Sequence, residues 1–298
     1  MPPPARTRRR SSIAALAILC VVFLASCDKP PANPSHATTR AATRIASLVP
    51  AATDMLLSLG ARDRLVAVSN YDTAPAVAGL PRVGDYQTTD WEALARLRPD
   101  VMIIQLAPDR LPPGLANRAA ELGIALENVS IHRLDDVLRT LRRLGEVIGQ
   151  PAHGQTAADG LQRDLDAVRA SVATRPVVRV LISRDPDGRD IIGPNNFLDD
   201  LLQYAGAANA AAGMGKPYPS IDREAVAALA PDAVIVLLPD ARPDIVDRAN
   251  RFWAGLPQVP AVRDHRVFII TDPYAQVPGS HLARLAKQIA EKIHAPRN

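Results

Sequence analysis

The sequence predicts an α/β protein of two lobes, each a mainly parallel sheet with flanking helices, joined by one long interlobe helix. Three observations predict this fold: a repeated block, short apolar runs between helical patterns, and a long apolar stripe between the two copies. Residues 90–104, DWEALARLRPDVMII, return at 222–236 as DREAVAALAPDAVIV, identical at eight of fifteen positions with a constant offset of 132. A unit present twice predicts two similar lobes, and ligand sites favour the cleft between such lobes.

Short apolar runs between the helical patterns predict the strands. Each copy opens with a loop and a helix upstream of the best-matching block, Pro50 followed by AATDMLLSLGA and Pro194 followed by NNFLDDLLQYAGA. Strands that alternate with helices of about ten residues favour parallel sheets covered on both faces, one sheet per copy. The predicted strands are 45–48, 65–68, 100–104, 124–126, 177–183, 233–238 and 266–270.

A single apolar stripe lies between the two copies. It predicts a helix over about 154–173, because its members recur at steps of three or four residues: Ala158, Leu161, Leu165, Val168 and Val172. At 1.5 Å per residue such a helix is roughly 30 Å long, which spans a small domain. We expect a stiff rod that joins the lobes; a surface helix of the first lobe is the alternative.

The first 26 residues have the pattern of an export signal. Four arginines precede an apolar run, 13–24, that is short for a membrane span. The tetrapeptide LASC at 24–27 resembles the bacterial lipoprotein processing box, which implies that Cys27 becomes the lipidated first residue of the mature chain. Asp28 resembles the signal for retention in the inner membrane, so we expect a lipid-anchored protein on the periplasmic side, or on the outer face of a cell without an outer membrane. A plain signal peptide with an incidental cysteine is the alternative.

The charge content argues against a nucleic-acid partner, and the cysteine content argues against an internal disulfide. Removal of residues 1–26 takes away four of the 35 basic residues and none of the 31 acidic ones, which leaves 31 of each. The basic pI therefore belongs to the signal, and no nucleic-acid partner is expected, since the chain shows neither a cationic face nor aromatic stacking platforms. Because Cys20 leaves with the signal, Cys27 is the remaining cysteine and no internal disulfide is expected.

The predicted organisation has five parts. Residues 28–43 are rich in Pro, Ala and Thr without apolar periodicity, which is typical of a flexible tether. About 255 residues follow, enough for two domains of ordinary size. The predicted boundaries are 1–26 for the signal, 27–43 for the lipidated cysteine and tether, 44–150 for the N-terminal lobe, 151–174 for the interlobe helix and 175–298 for the C-terminal lobe.

Three segments resemble a known family. They are SLVPAATDMLLSLGARDRLVAVSNYD at 47–72, LPRVGDYQTTDWEALARLRPDVMI at 80–103 and KPYPSIDREAVAALAPDAVIV at 216–236. They resemble the periplasmic binding proteins for vitamin B12 and ferric siderophores, and the resemblance covers nearly everything from Arg44 to the C-terminus. It implies two α/β lobes joined by a long helix, capture of a bulky metal chelate between them, and delivery to the permease of an ATP-driven importer in the inner membrane.

Glu92 and Glu224 occupy equivalent positions, two residues after the predicted helix N-caps Asp90 and Asp222. A carboxylate in the first turn supports a helix through its dipole, so a structural role is the alternative. A capping box would place its glutamate three residues after the cap, where this chain has alanine. The resemblance implies that the two glutamates dock the protein onto arginines of the permease, one glutamate per lobe.

Four of the five tyrosines lie in predicted loops after strands or before the duplicated helices, where ligands of open α/β sheets bind. They are Tyr71, Tyr86, Tyr218 and Tyr274, and we expect Tyr86 and Tyr218 to face each other across the cleft. Aromatic residues at these two places line the pocket in the B12 members that the chain resembles, where tryptophan is usual. Weaker candidates for ligand contact are Asp85, Phe197, Asp272 and Lys216. Trp91 and Trp253 are interpreted as packing residues.

Two other classes are disfavoured. No Gly-x-Ser-x-Gly elbow or phosphate loop occurs, so an exported enzyme is the less favoured alternative, and no resident cofactor is expected. The six histidines lack the spacing of a transition-metal site, which disfavours a receptor for a bare metal ion. A strongly anionic siderophore needs several cleft arginines or lysines, and only Arg82, Lys216 and Arg223 lie near the duplicated loops. The ligand is therefore expected to be cobalamin, with a ferric siderophore or haem as alternatives, and the protein is expected to be a monomer.

Overall fold

Two parallel sheets of the same strand order form the framework of the computed structural model, which describes residue 1 and residues 41–85, 88–107, 110–240 and 242–296. The N-terminal lobe contains β1 (Ile45–Ser47), β2 (Leu65–Val68), β3 (Val101–Ile104) and β4 (Ala125–Asn128), in the order β2-β1-β3-β4. The C-terminal lobe contains β5 (Val178–Ser183), β6 (Ala207–Asn209), β7 (Ala233–Leu237) and β8 (Val267–Ile270), in the order β6-β5-β7-β8. The two-lobed α/β fold is confirmed.

Helices cover both faces of each sheet, as parallel sheets require. In the N-terminal lobe they are α1 (Pro50–Ser58), α2 (Trp91–Leu97), α3 (Leu115–Glu121) and α4 (Leu134–Val147). Helix α5 (Pro151–Val172) follows, and the C-terminal lobe adds α6 (Phe197–Tyr204), α7 (Arg223–Leu229), α8 (Pro243–Ala254), α9 (Pro260–Arg263) and α10 (Leu282–Ile293). Among the described residues, no helix has the length and apolarity needed to cross a bilayer.

The two duplicated helices, α2 and α7, end in the same way. Both α2 and α7 finish at a left-handed residue before the Pro-Asp pair. An arginine at the start of each lobe then donates to a carbonyl in the last turn, Arg44 Nη2 to Leu97 (2.6 Å) and Arg179 Nη2 to Leu229 (3.1 Å). These carbonyls have no partner within their own helices, so the same device satisfies them in both lobes.

Helix α5 is the element that the two lobes share. It packs along α4 of the N-terminal lobe and then against α10 and α6 of the C-terminal lobe. The five residues of the predicted stripe are all buried: Ala158, Leu161, Leu165, Val168 and Val172. The limits of the lobes, 44–150 and 175–298, stay a prediction.

The hydrophobic interior is not divided into one separate core per lobe. One large core runs from β1 and α1 through α4 and α5 to α6, α10 and the inner face of the second sheet. Two smaller cores cover the outer faces, because successive strand residues point to opposite sides of a sheet. Ile45 and Ile103 face the shared core, whereas Ala46 and Met102 face the outer core of the N-terminal lobe. The lobes therefore form one packed body around α5.

Candidate functional site

The loops at the carboxyl ends of the strands hold the tyrosines that the sequence singled out. Tyr71 follows β2 in the N-terminal lobe and is 57% exposed, while Tyr218 precedes α7 in the C-terminal lobe and is 42% exposed. Tyr274 follows β8 and is half-buried. The predicted partner of Tyr218, Tyr86, lies outside the described residues. Each lobe thus offers at least one aromatic ring at the end of its sheet.

Tyr218 is paired with an arginine that the sequence analysis missed. The Arg184 guanidinium lies 4.6 Å from the centre of the Tyr218 ring, at the carboxyl end of β5. Asp190 accepts a 2.6 Å hydrogen bond from Arg184 Nη2, so the positive charge is balanced. Burial raises the pKa of the Tyr218 hydroxyl, and the nearby cation partly opposes that rise. The position of Arg184 directly after a strand was a usable signal, but its contact with Tyr218 depends on tertiary folding.

The loop that carries Tyr218 is held against the turn after β5. Gly193 N donates to the carbonyl of Pro217 (2.9 Å), and Ile191 N donates to that of Pro219 (3.2 Å). A Cβ at position 193 would lie 2.1 Å from the carbonyl oxygen of Lys216, so the close approach requires glycine. Lys216 itself is exposed.

Tyr274 is fixed by two neighbours. Its backbone N–H donates to Asp272 Oδ1 (2.9 Å), and its ring stacks on the His281 imidazole with centroids 4.2 Å apart and planes inclined by 31°. Burial, followed by the negative charge of Asp54, raises the pKa of Tyr274, so its hydroxyl is neutral at physiological pH. The Asp272 carboxylate is 8% exposed and paired with Arg284 at 2.8 Å. Asp272 therefore shapes the loop beneath Tyr274.

Two weaker candidates have their side chains engaged by other residues of the protein. Asp85 accepts from Thr88 N (3.0 Å) and from Asn70 Nδ2 (3.2 Å), which fixes its carboxylate against these two residues. Phe197 is 4% exposed and packs in the shared core at the start of α6, so it offers a ligand almost no surface. Ligand contact stays a prediction for Asp85 and Phe197.

The carboxyl ends of the two sheets meet at a buried acid that the sequence analysis also missed. Asp54, in α1, is 3% exposed and accepts hydrogen bonds from Ser280 N (2.6 Å) and Ser280 Oγ (2.9 Å). His281 Nε2 lies 2.7 Å from its other carboxylate oxygen. No local pattern could predict this contact, because 226 residues separate Asp54 from Ser280.

A second buried acid lies beside Tyr71. Asp72 is 5% exposed, and Oδ2 accepts from Ser69 N (3.0 Å) and from Thr53 Oγ1 (3.1 Å). Burial raises the pKa of Asp72 from 3.8 to about 6, against the lowering effects of both hydrogen bonds and of Arg82. The Tyr71 loop is thereby tied to α1, which carries Thr53 and Asp54 in succession.

Glu92 and Glu224 lie on the surface at matching places in the two lobes. The N-caps are confirmed: Asp90 Oδ1 accepts from Ala93 N (2.9 Å) and Asp222 Oδ1 from Ala225 N (2.8 Å). Because the cap side chains satisfy these first-turn N–H groups, neither glutamate is needed for capping. The Glu92 side chain is 85% exposed and paired with Arg96, and Glu224 is exposed.

Some sequence predictions fall outside the described residues. These are the export signal, Cys27 and the tether to residue 40, and Tyr86. Within the described part of the chain, no cluster of three or more His, Cys, Asp or Glu side chains is placed to hold a metal ion. Trp253 is 2% exposed in the outer core of the C-terminal lobe, which confirms its interpretation as a packing residue.

The fold and its loops define a class of protein. Two parallel sheets that share one long helix and bring the carboxyl ends of their strands together form a two-lobed binding protein. The chain belongs to the periplasmic binding protein family, with residues 45–274 matched. The family is one of extracytoplasmic binding proteins, so this protein binds a substrate for transport and is not an enzyme.

Three known proteins are similar to this chain over most of its length. The chain is 25% identical to a vitamin B12-binding protein of Vibrio parahaemolyticus, over 85% of this chain and 90% of that one. It is 24% identical to an uncharacterized ABC transporter substrate-binding lipoprotein of Bacillus subtilis, over 96% and 98% of the two chains. A periplasmic haem-binding protein from Pseudomonas aeruginosa has a similar structure, with a TM-score of 0.71, 25% identity and coverage of 86% and 94%.

Proposed function

We propose that this protein captures a corrinoid, vitamin B12 or a close relative, between its two lobes. The observation that carries the proposal is the placement of tyrosine rings from both lobes at the carboxyl ends of their sheets: Tyr71, Tyr218 and Tyr274. A ring with a hydroxyl offers a flat apolar face and a polar edge, which suits a large macrocycle with amide side chains. The vitamin B12-binding relative supports the same ligand.

The charges near these tyrosines favour a ligand that is not strongly anionic. Arg184 is balanced by Asp190, and Arg284 by Asp272. Arg82 donates to the carbonyl of Ser69 at 2.8 Å and lies in the field of the buried Asp72. A highly charged siderophore would need cations that are free to pair with it. Haem is the second candidate, because the similar structure from Pseudomonas aeruginosa binds haem.

Calorimetric titration of the chain from Asp28 to Asn298 tests the ligand. Cyanocobalamin is expected to bind with one-to-one saturation, and a panel of ferric siderophores and haem serves as the comparison. Binding of haem or a siderophore without corrinoid binding would keep the architecture and overturn the ligand. Silence from all three would count against capture of a metal chelate.

Variants of the tyrosines locate the site. Tyr71→Ala and Tyr218→Ala should each lower corrinoid affinity by about tenfold, since each removes a large contact surface. Tyr204→Ala is the matched control, because the half-buried Tyr204 contacts the interlobe helix instead of the ligand loops. Its hydroxyl accepts a hydrogen bond from Gln162, and its ring contacts Arg169. Equal losses in all three variants would contradict the assignment of the site.

We further propose delivery to an ABC importer through Glu92 and Glu224. Both carboxylates are exposed at the first turn of the duplicated helices, one per lobe, so they can meet a two-subunit permease symmetrically. Rim charges of this kind set the encounter rate and the register of a complex. Glu92→Gln with Glu224→Gln should abolish stimulation of the importer and leave corrinoid affinity unchanged; lost affinity would refute the docking role.

A matched control has the same change of charge on other helices. Glu121 on α3 and Glu291 on α10 are exposed, again one per lobe. Glu121→Gln with Glu291→Gln is expected to leave stimulation near the wild-type value. Equal loss in both double variants would mean that net charge, rather than these two positions, determines docking.

We propose that Cys27 anchors the protein to the membrane through a lipid, with Asp28 favouring the inner membrane. The LASC tetrapeptide at 24–27 supports this, and the Bacillus subtilis relative is named a lipoprotein. Cell fractionation should recover the wild-type chain in the membrane fraction. The Cys27→Ala variant, which has no cysteine to acylate at this position, should be recovered outside the membrane fraction. Recovery of the wild-type chain as a freely soluble, unacylated protein would overturn the anchor.

A further inference from the structure

A buried contact joins the two lobes near the ligand loops; this interlobe clasp is formed by Asp54, Ser280 and His281. Asp54 comes from α1 of the N-terminal lobe, and the other two precede α10 of the C-terminal lobe. Two donors of Ser280 reach Asp54 Oδ2, and His281 Nε2 reaches Oδ1. Among the described residues, every hydrogen-bond partner of this carboxylate comes from the opposite lobe.

The hydrogen bonds to the buried Asp54 carboxylate favour one arrangement of the two lobes. Removing a charged group from water is costly unless hydrogen bonds replace its hydration, so Asp54 is satisfied only while the lobes keep this arrangement. Gly279 makes the approach possible, because a Cβ there would lie 2.2 Å from Asp54 Oδ2. The chain therefore has glycine where the loop passes the carboxylate.

In each lobe, contacts connect the interlobe clasp to a residue that is predicted to bind the ligand. In the C-terminal lobe, His281 stacks against the Tyr274 ring at 4.2 Å. In the N-terminal lobe, Thr53 precedes Asp54 in α1 and donates to Asp72, whose neighbour is Tyr71. A continuous chain of contacts thus connects Tyr71 in one lobe with Tyr274 in the other.

We propose that Asp54 is a positioning residue for ligand binding: through the interlobe clasp it holds the Tyr274 ring in place relative to the Tyr71 loop. The ligand part of this proposal rests on the proposed function, since Tyr274 is one of its contacts. Asp54 and His281 act on the ligand through the rings, and the clasp adds a polar contact near the ligand loops to the packed core that already joins the lobes.

A measurement without ligand tests the clasp directly. In the full chain, purified in detergent and labelled at histidine, the Tyr274 ring should shift the His281 resonance through its ring current, and Tyr274→Leu identifies that shift. Asp54→Asn, which keeps the side-chain shape, should abolish the shift, and Ser280→Ala should reduce it. Asp63→Asn, at an exposed aspartate of the same lobe, is the matched control. Because Asp54 itself lies against His281 Nε2, the quantity compared is the change that Tyr274→Leu makes to the His281 resonance. An equal change in the wild-type and Asp54→Asn backgrounds would overturn the proposal, whichever ligand the protein binds.

A double-mutant cycle with ligand separates positioning from general stability. Asp54→Asn should lower corrinoid affinity by about tenfold in the wild-type background and by less than about twofold in a Tyr274→Ala background, because coupled residues are not additive. Equal losses in both backgrounds would mean that Asp54 does not act through Tyr274, and would overturn the proposal. If no corrinoid, haem or siderophore binds the wild-type chain, the proposed function fails, and the histidine resonance alone decides the clasp.

Discussion

Helices α4 and α5 touch backbone to backbone at a pair of glycines, and this contact predicts opposite effects for one substitution at two places in α5. A Cβ on Gly154 would lie 2.8 Å from the carbonyl oxygen of Leu141 and 3.0 Å from Gly145 Cα, where 3.4–4 Å is ordinary contact. Backbone atoms cannot rotate away, so Gly154→Ala must push the helices apart. Gly160, six residues further along, has only the end of the flexible Arg163 side chain within reach, at 3.9 Å.

The magnitudes follow from two competing effects. Overpacking in an interior costs about 1–3 kcal/mol, and alanine gains about 1 kcal/mol over glycine in a helix. Gly154→Ala should therefore lose up to about 2 kcal/mol net, while Gly160→Ala should gain up to about 1 kcal/mol. For a chain of this size 1 kcal/mol shifts Tm by about 2–4 °C, so the two melting temperatures should move in opposite directions.

Thermal unfolding followed by circular dichroism measures both variants under one set of conditions. Gly160→Ala is the control, since it makes the same chemical change in the same helix without the close contact. A Gly154→Ala protein as stable as Gly160→Ala would refute the close approach of α4 and α5. It would also weaken the description of α5 as a rod packed tightly between the lobes.

Three further predictions concern single side chains. Because burial raises the pKa of Asp72 to about 6, the folded state binds its proton more tightly than the unfolded state, and the wild-type chain loses stability as pH rises from about 4 to 6. Asp72→Asn should remove that loss and be up to about 3 kcal/mol more stable than wild type at pH 7 in urea unfolding, and an unchanged pH slope would contradict the burial argument. Arg133→Ala should lower the free energy of unfolding by about 1–2 kcal/mol in the same assay, because Asp200, 12% exposed, loses its ion pair across the lobes. An unchanged free energy of unfolding would show that water replaces the arginine. Trp253→Ala should lower the free energy of unfolding by about 3–5 kcal/mol through the cavity it leaves. Trp253→Phe should lower it far less, since the buried indole N–H has no hydrogen-bond partner in the part of the chain that the structure describes.

Much of the architecture could be predicted because it depends on local patterns. The stripe from Ala158 to Val172 gave the interlobe helix, and each of the seven predicted strands is present within two residues of its predicted limits. Strand β6, Ala207–Asn209, was missed because AAN lacks the β-branched residues typical of strands. It is a strand because β5 offers a free edge for parallel pairing, which is a tertiary effect.

The candidate site was predicted only as a set of loops. Position after a strand correctly placed Tyr71 and Tyr274 at the ends of the sheets, since the carboxyl ends of parallel strands lie together. It could not show that Phe197 is buried in the core or that Arg284 engages Asp272. Burial and pairing are set by helices distant in the sequence, so no local signal reports them.

By itself the sequence determined the two-lobed fold, the repeat and the places of Glu92 and Glu224, because periodicity, caps and duplicated segments act over a few residues. Only the tertiary structure decided that one hydrophobic core runs through both lobes, that Arg184 covers Tyr218, and that Asp54 joins Ser280 and His281. These features depend on side chains from elements far apart in the chain. Their energies arise only when the packed helices bring those side chains out of water and within contact distance.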